Sequence, residues 1–158
     1  MMNKEIEQEM LSYYNERARE HDEVYTGKGP AIHHYSGEYI KDVAEISEMV
    51  SGFGSGHLID IACGTGFWAP QYGKNCEQIT FVDQSERMLS ECRSRVDSLG
   101  LANAVHFIRG NIFDTELRTS AYDCALVGFL LGHFTSERED AFFRKLEKML
   151  KPSAQLMV

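Results

Sequence analysis

Asp60 stands near the end of a short apolar run, His57 to Ala62 (HLIDIA), and Cys63-Gly64-Thr65-Gly66 follows at once. Gly64 and Gly66 let the backbone turn sharply and let a ligand approach with no Cβ in the way. With Ala69 they also satisfy a loose dinucleotide pattern, Gly-x-Gly-x-x-Ala. Asp83 ends the next apolar run, at the distance expected of a carboxylate that accepts from both hydroxyls of a ribose. These residues point to an adenosine-containing ligand, and both NAD and S-adenosylmethionine fit them. Asp60 helps to separate the two. A buried carboxylate is costly unless it is paired or hydrogen-bonded. Beside a pyrophosphate it would repel, whereas the ammonium and sulfonium groups of S-adenosylmethionine would welcome it. The plainer alternative is that Asp60 only bonds backbone amides of the glycine turn, and the two roles are compatible.

Such residues need strands to hold them. The runs His57 to Ala62, Gln78 to Val82, Ala104 to Arg109, Tyr122 to Gly128 and Ala154 to Val158 read as five strands. Between them the periodicity predicts helices. One starts at Phe67. A second is capped by Ser85 and has Met88, Leu89, Cys92, Val96 and Leu99 inward. A third opens on a Ser136/Glu139 capping box, turns Phe142, Phe143, Leu146, Met149 and Leu150 inward, and ends at Lys151-Pro152. Two helices precede the first strand. Glu5 to Val24 carries Ile6, Met10, Tyr13, Tyr14, Arg17 and His21 on one face, and Thr26 to Pro30 breaks it. Gly37 to Val50 carries Ile40, Val43, Ile46, Met49 and Val50 as a stripe, and Ser51 to Gly56 is a loop. Strands apolar on both faces that alternate with helices mean an α/β fold, a doubly wound parallel sheet covered on both sides. Ligands then sit beyond the carboxyl ends of the strands. The residues that matter are therefore Asp60 to Gly66, Asp83 and Gln84, Gly110 to Ile112, and Gly128 to Phe134.

Leu58 to Ala69 (LIDIACGTGFWA) resembles motif I of the class I S-adenosylmethionine-dependent methyltransferases, of the small-molecule type. The resemblance continues through Phe81 to Leu89 (FVDQSERML), Gly110 to Asp114, Tyr122 to Phe134 (YDCALVGFLLGHF) and Leu150 to Val158, in the family's order and spacing. Tyr13 to Tyr25 also resembles a segment of small-molecule members. The resemblance implies a Rossmann-like core over residues 57–158 behind an N-terminal helical cap over 1–52, with S-adenosyl-L-methionine as cofactor and a small molecule as methyl acceptor. It implies that Asp60 and the backbone from Ala62 through Cys63 and Gly64 to Gly66 hold the methionine moiety. Asp83 would take the ribose hydroxyls, and Gln84 and Met88 would flank the adenine. Asn111 would meet the adenine amino group and Ile112 would pack on the ring. Gly128 and Phe129 would lie beside the ammonium, and Tyr14 and Arg17 would close over the cofactor. Ala62 replaces a usual glycine, Asn111 a common Asp, and Ser153-Ala154 two usual glycines. The family's sheet continues beyond a fifth strand with a helix and an antiparallel hairpin, so the chain reads as truncated there. Its last strand is expected to be an exposed edge, either paired in a homodimer or poorly ordered.

Methyl transfer is an in-line displacement in which proximity and orientation supply most of the rate. A hydroxyl or acidic-carbon nucleophile would need a base, and His133 is the first candidate. A partly buried imidazole bonded to a backbone carbonyl is the competing account of His133. His33 and His34, in the loop before the second helix, either line the substrate side or are inert loop residues, and the inert reading is the plainer. Tyr25, Tyr35, Tyr39, Phe129 and Phe134 are candidates for an apolar substrate wall, and Trp68 for packing. The fourth strand lacks an Asn-Pro-Pro-Tyr-like run, against nucleobase amine methylation. The formal charge of −8 disfavours nucleic acid. No run approaches the roughly 18 to 20 apolar residues of a membrane span. The Glu-rich start has no signal-peptide core, and Cys63, Cys76, Cys92 and Cys124 read as free thiols of a cytoplasmic protein with no metal site. An NAD-dependent oxidoreductase and a non-catalytic S-adenosylmethionine-binding or partner domain remain as alternatives.

Overall fold

The computed structural model describes residues 4–27, 37–101 and 104–158. Five parallel strands, β1 (His57–Ile61), β2 (Gln78–Asp83), β3 (Ala104–Arg109), β4 (Tyr122–Val127) and β5 (Leu150–Met157), form one sheet in the order β3-β2-β1-β4-β5. The strand order reverses between β1 and β4, which opens a crevice at the carboxyl ends of these two strands. Register aligns the chemistry. Asp60 pairs with Phe81 on one side and Leu126 on the other, while Asp83 pairs with Arg109.

Alternation along the strands divides the core in two. Leu58, Ile79, Phe81, Cys124 and Leu126 pack with Val50, Tyr72 and Leu89 from helices α3 (Gly37–Ser51), α4 (Ala69–Tyr72) and α5 (Glu86–Leu99). Ile59, Ile61, Ala125 and Val127 pack with Phe142, Leu146 and Met149 from α6 (Ser136–Met149) on the other face. Helices on both faces of a parallel sheet are the doubly wound arrangement expected. Full burial holds for β1, β2 and β4 but not for β3 and β5, because each of these has a neighbour on one side only.

Several boundaries differ from expectation for local reasons. The first helix does not reach Val24. α1 (Lys4–Arg17) ends early, a turn follows, and α2 (Glu23–Thr26) is a separate single turn closed by Gly27 in the left-handed region. Tyr13 is exposed rather than inward, as are Ile40 and Met49 of α3, so the buried stripe of α3 narrows to Val43 and Val50. The helix expected from Phe67 is four residues long and passes into a 3-10 turn at Gly73–Asn75. Ser85 caps α5 as expected, its Oγ accepting from the Met88 N–H at 3.1 Å, while Leu99 at the far end is partly exposed. The capping box at Ser136 does not form. Thr135 is the N-cap, without a side-chain bond, and the first turn is acidic, which suits the helix dipole. Phe143 points outward, and Leu150 belongs to β5, which takes in Lys151 and Pro152 as well. A proline is tolerated there because β5 is an edge strand. Most of the break at Thr26 to Pro30, and His33, His34 and Tyr35, lie outside the described residues.

Candidate active site

β1 delivers Asp60 and then turns. Ala62, Gly64 and Gly66 all take positive φ, at 55°, 55° and 69°. Ala62 sits where glycine is at ease, at a cost of about 1 kcal/mol. The Cys63 N–H donates to the Val82 carbonyl at 3.1 Å, which ties the turn to β2. Gly66 does not face the cleft. It packs on α5, and a Cβ there would meet Cys92 Sγ at 2.6 Å. Its role is to let the turn lie against the helix.

The two carboxylates are held differently. Asp60 is fully buried, and its Oδ2 accepts from the Tyr72 hydroxyl at 2.6 Å. Burial pushes its carboxyl up to about 7; the Tyr72 bond opposes the rise and the neighbouring Asp83 charge adds to it. Asp83 accepts the Gly64 N–H on Oδ2 at 2.9 Å and the Ser85 N–H on Oδ1 at 2.8 Å. Burial raises it above the usual carboxylate range, against the pull of those backbone bonds. The Gly110 N–H donates to the Asp83 carbonyl and brings the end of β3 alongside. Lys145 of α6 donates to the Phe113 and Thr115 carbonyls at 3.0 and 2.7 Å and fixes the loop after β3.

These strand ends enclose a cleft of about 210 Å³. Of the residues expected to bind cofactor, Tyr14, Asp60, Ala62, Cys63, Gly64, Asp83, Gln84, Met88, Asn111, Ile112, Gly128 and Phe129 line it, and so does His133. Arg17 does not. Its guanidinium donates to Tyr13 Oη at 3.0 Å on the outer surface of α1. The oxygen of Asn111 already accepts the Phe113 N–H at 3.0 Å, so it shapes the loop as well as facing the cleft. His133 Nε2 lies 3.4 Å from Tyr14 Oη across the cleft mouth. Tyr25, Phe129 and Phe134 line the wall, whereas Tyr39 packs against the core. Trp68 is both buried packing and cleft wall, with Tyr25 stacked on neighbouring Phe67 at 4.4 Å between ring centroids. Phe129 has φ 57° and is 58% exposed, a strained bulky residue at the rim.

The N-terminal segment is latched over this cleft by polar bonds that no spacing rule in the sequence could reveal. Asn15 Oδ1 accepts the Ser85 hydroxyl at 2.6 Å, and its carbonyl accepts from Arg87. Asp22 accepts from the Thr65 hydroxyl in the glycine turn and pairs with Arg95 of α5. Burial alone would raise the Asp22 carboxyl, but the His21 ring, the Thr65 hydroxyl and Arg95 together hold it below its ordinary value. Met10 and His21, read in the sequence only as one face of the first helix, also reach the cleft, and so does Arg138, which went unmarked. All four cysteines are buried free thiols, as expected. Among the described residues no metal-ligating cluster occurs, and no helix is long and apolar enough to cross a membrane.

A parallel sheet with its glycine turn after β1 and an acid at the end of β2 defines a Rossmann-like, nucleotide-binding type of domain. Residues 58–153 match the family model of the methyltransferase domain, and the chain belongs to that family. The chain is 24% identical over 115 residues to the ubiquinone/menaquinone biosynthesis C-methyltransferase UbiE of Blochmanniella floridana, covering 71% of this chain and 43% of that protein. It thus spans well under half the length of the curated relatives it matches. Among solved structures it resembles DhpI in complex with SAH, with a TM-score of 0.69, 25% identity, and coverage of 91% of this chain and 63% of that one. It also shares its fold with the [4+2]-cyclase SpnF, with a TM-score of 0.63, 23% identity, and coverage of 73% and 44%.

Proposed function

We propose that this chain binds S-adenosyl-L-methionine in the cleft and transfers its methyl group to a small-molecule acceptor. The observation that carries this reading is the convergence of two carboxylates, the buried Asp60 and the half-buried Asp83, on one cleft from neighbouring strands. Both are raised by burial, so a cation beside them restores the stability that ionisation would lose. Asp60 suits the ammonium of a methionine moiety, and the backbone from Ala62 to Gly64 lies along it. Asp83 keeps lone pairs for ribose hydroxyls after its two backbone bonds. Gln84, Met88, Asn111 and Ile112 line the cleft beyond Asp83, two apolar side chains to pack on adenine and two amides to bond its edge. Gly128 and Phe129 border the amino-acid end, and Tyr14 closes the mouth. A pyrophosphate would meet Asp60 as a like charge, which disfavours NAD.

The cofactor, when bound, supplies an activated methyl group on sulfur. The chain's residues orient it, exclude water with Tyr14, Tyr25, Phe67 and Phe129, and hold His133 at the mouth as a candidate acceptor for the nucleophile's proton. In this reading residues 1–52 are a cap and 57–158 the cofactor-binding core. The likeness to the UbiE C-methyltransferases supports methyl transfer. A second reading is a domain that binds the cofactor without transferring methyl, since a shared fold does not fix the reaction.

Calorimetry tests the reading through Asp60. Its folded carboxyl near 7 lies above the unfolded value of 3.8, so it holds a proton that the unfolded chain loses. Its stabilising contribution is full below the unfolded value and fades as pH rises towards 7. An ammonium placed beside it expels that proton. S-adenosylhomocysteine binding at about pH 6.5 is therefore expected to release a proton, seen as a binding enthalpy that changes between phosphate and Tris buffers. The release shrinks towards zero at about pH 8.5, where Asp60 has already ionised. NAD is expected not to bind. Tight NAD binding with none for S-adenosylhomocysteine contradicts the reading.

We also infer a cytoplasmic protein without nucleic-acid or membrane partners, on the acidic charge and the acidic cleft. β5 lies at the end of the sheet with Leu156 partly exposed, and a second copy pairing along that edge would form a homodimer. Sedimentation at micromolar concentration is expected to give twice the monomer mass; a monomer across that range removes the dimer.

A further inference from the structure

His21 has no part in the reading above. It stands in the turn between α1 and α2 and lines the cleft. Its side chain is 21% exposed and its ring lies against the glycine turn, so that a Cβ on Gly64 would sit 3.5 Å from His21 Cε1. Nδ1 is buried, 3.6 Å from Asp22 Oδ1, which is too far for a hydrogen bond, and it has no hydrogen-bond partner among the described residues. Asp22 is itself committed to Thr65 and Arg95. A built and anchored turn therefore holds an under-satisfied imidazole over the backbone that the cofactor must cross.

Covalent structure says which cofactor atom comes there. In S-adenosylmethionine the sulfur joins the ribose to the amino-acid chain. With Asp83 at the ribose and Asp60 at the amino group, the sulfur falls between them, along the turn that His21 covers. We propose that His21 sets the preference of this site for the sulfonium donor over the thioether product. A neutral imidazole admits the cationic sulfur, an imidazolium repels it, and the uncharged sulfur of S-adenosylhomocysteine is indifferent. Histidine changes charge between about pH 5 and 8, so the preference is pH-dependent. The inference rests on the cofactor reading.

The groups that face His21 are Tyr14 from α1 and Tyr25 from α2, with ring centroids at 6.3 and 5.7 Å, its neighbour Asp22, and Asp83 from the end of β2. Arg95 of α5 acts on it through Asp22, and His133 lies beyond Tyr14. Titration of Asp60 or Asp83 alters the hold on the ammonium and the ribose, which donor and product share. That shared part cancels in the ratio of their affinities; the part of their charge that reaches the sulfonium does not, so the difference between the native chain and His21→Gln is what reports His21.

Titration calorimetry with S-adenosylmethionine and S-adenosylhomocysteine at about pH 8 and about pH 6 tests this. The ratio of donor Kd to product Kd is expected to rise roughly fivefold to tenfold on acidification, and severalfold less in His21→Gln, where only the acids titrate. An unchanged ratio in the native chain overturns the proposal, and so does a His21→Gln protein that keeps the full rise. A response lost in His133→Asn but kept in His21→Gln overturns it too. If neither compound binds at either pH, the cofactor reading fails and the proposal falls with it. Should His21→Gln not fold, the His21 ring is followed by NMR in the native chain. Linkage requires its titration midpoint to lie lower with S-adenosylmethionine bound than with S-adenosylhomocysteine, by the same factor. Equal midpoints overturn the proposal.

Discussion

Alanine at Asp83 is expected to weaken S-adenosylhomocysteine binding by roughly 10- to 100-fold, since one charge-assisted hydrogen bond contributes about 1.5 to 3 kcal/mol. The loss has two sources. The ribose hydroxyls lose their acceptor, and the N–H groups of Gly64 and Ser85 lose the carboxylate that shapes the turn and the start of α5. Asparagine at the same position retains a carbonyl acceptor but no charge, so Asp83→Asn is expected to fall between alanine and the native residue. Calorimetry gives the affinities, and circular dichroism reports whether the sheet is intact. An affinity unchanged in a folded Asp83→Ala protein removes Asp83 from the site.

The second large effect lies under the other side of the cleft. Phe142 of α6 is fully buried and touches Phe113 and Phe134, with ring centroids at 6.4 and 5.4 Å. Those two rings line the cleft, and Lys145, one turn on, holds the loop that carries Phe113. Phe142→Ala is expected to cost about 3 to 5 kcal/mol, because deleting a buried ring loses its transfer energy and leaves a cavity that refills only in part. For a domain of this size the melting temperature should fall on the order of 10 °C. Phe143, next in sequence but 38% exposed, serves as comparison. Phe143→Ala is expected to shift melting only slightly, and equal losses at the two positions would contradict the assigned face of α6.

The strands were legible because fully buried parallel strands are short apolar runs. His57 to Ile61 and Gln78 to Asp83 needed nothing more than their composition and the glycine turn between them. The cleft followed from the same logic, since strand ends in such a sheet converge. What stayed hidden depends on side chains meeting across long sequence separations. The bonds Asp22 makes to Thr65 and Arg95, and the pair Tyr14 and His133, join residues 43 to 119 positions apart with no periodic signal. Arg17 was misplaced for a related reason. A helix extended to Val24 would have put it on the face shared by Tyr14 and His21, but the chain turns after Arg17, and the side chain settles on Tyr13. Gly66 was read as a ligand contact when its constraint is close packing against Cys92. Glycine in a turn says that something approaches closely, and not what.

The most direct check is the structure of this chain with S-adenosylhomocysteine bound. Both ribose hydroxyls should lie within hydrogen-bond reach of the Asp83 carboxylate, with the amino group on the Asp60 side of the glycine turn and adenine between Met88 and Ile112. A crevice closed by side chains, or a nucleoside bound away from both acids, contradicts the account.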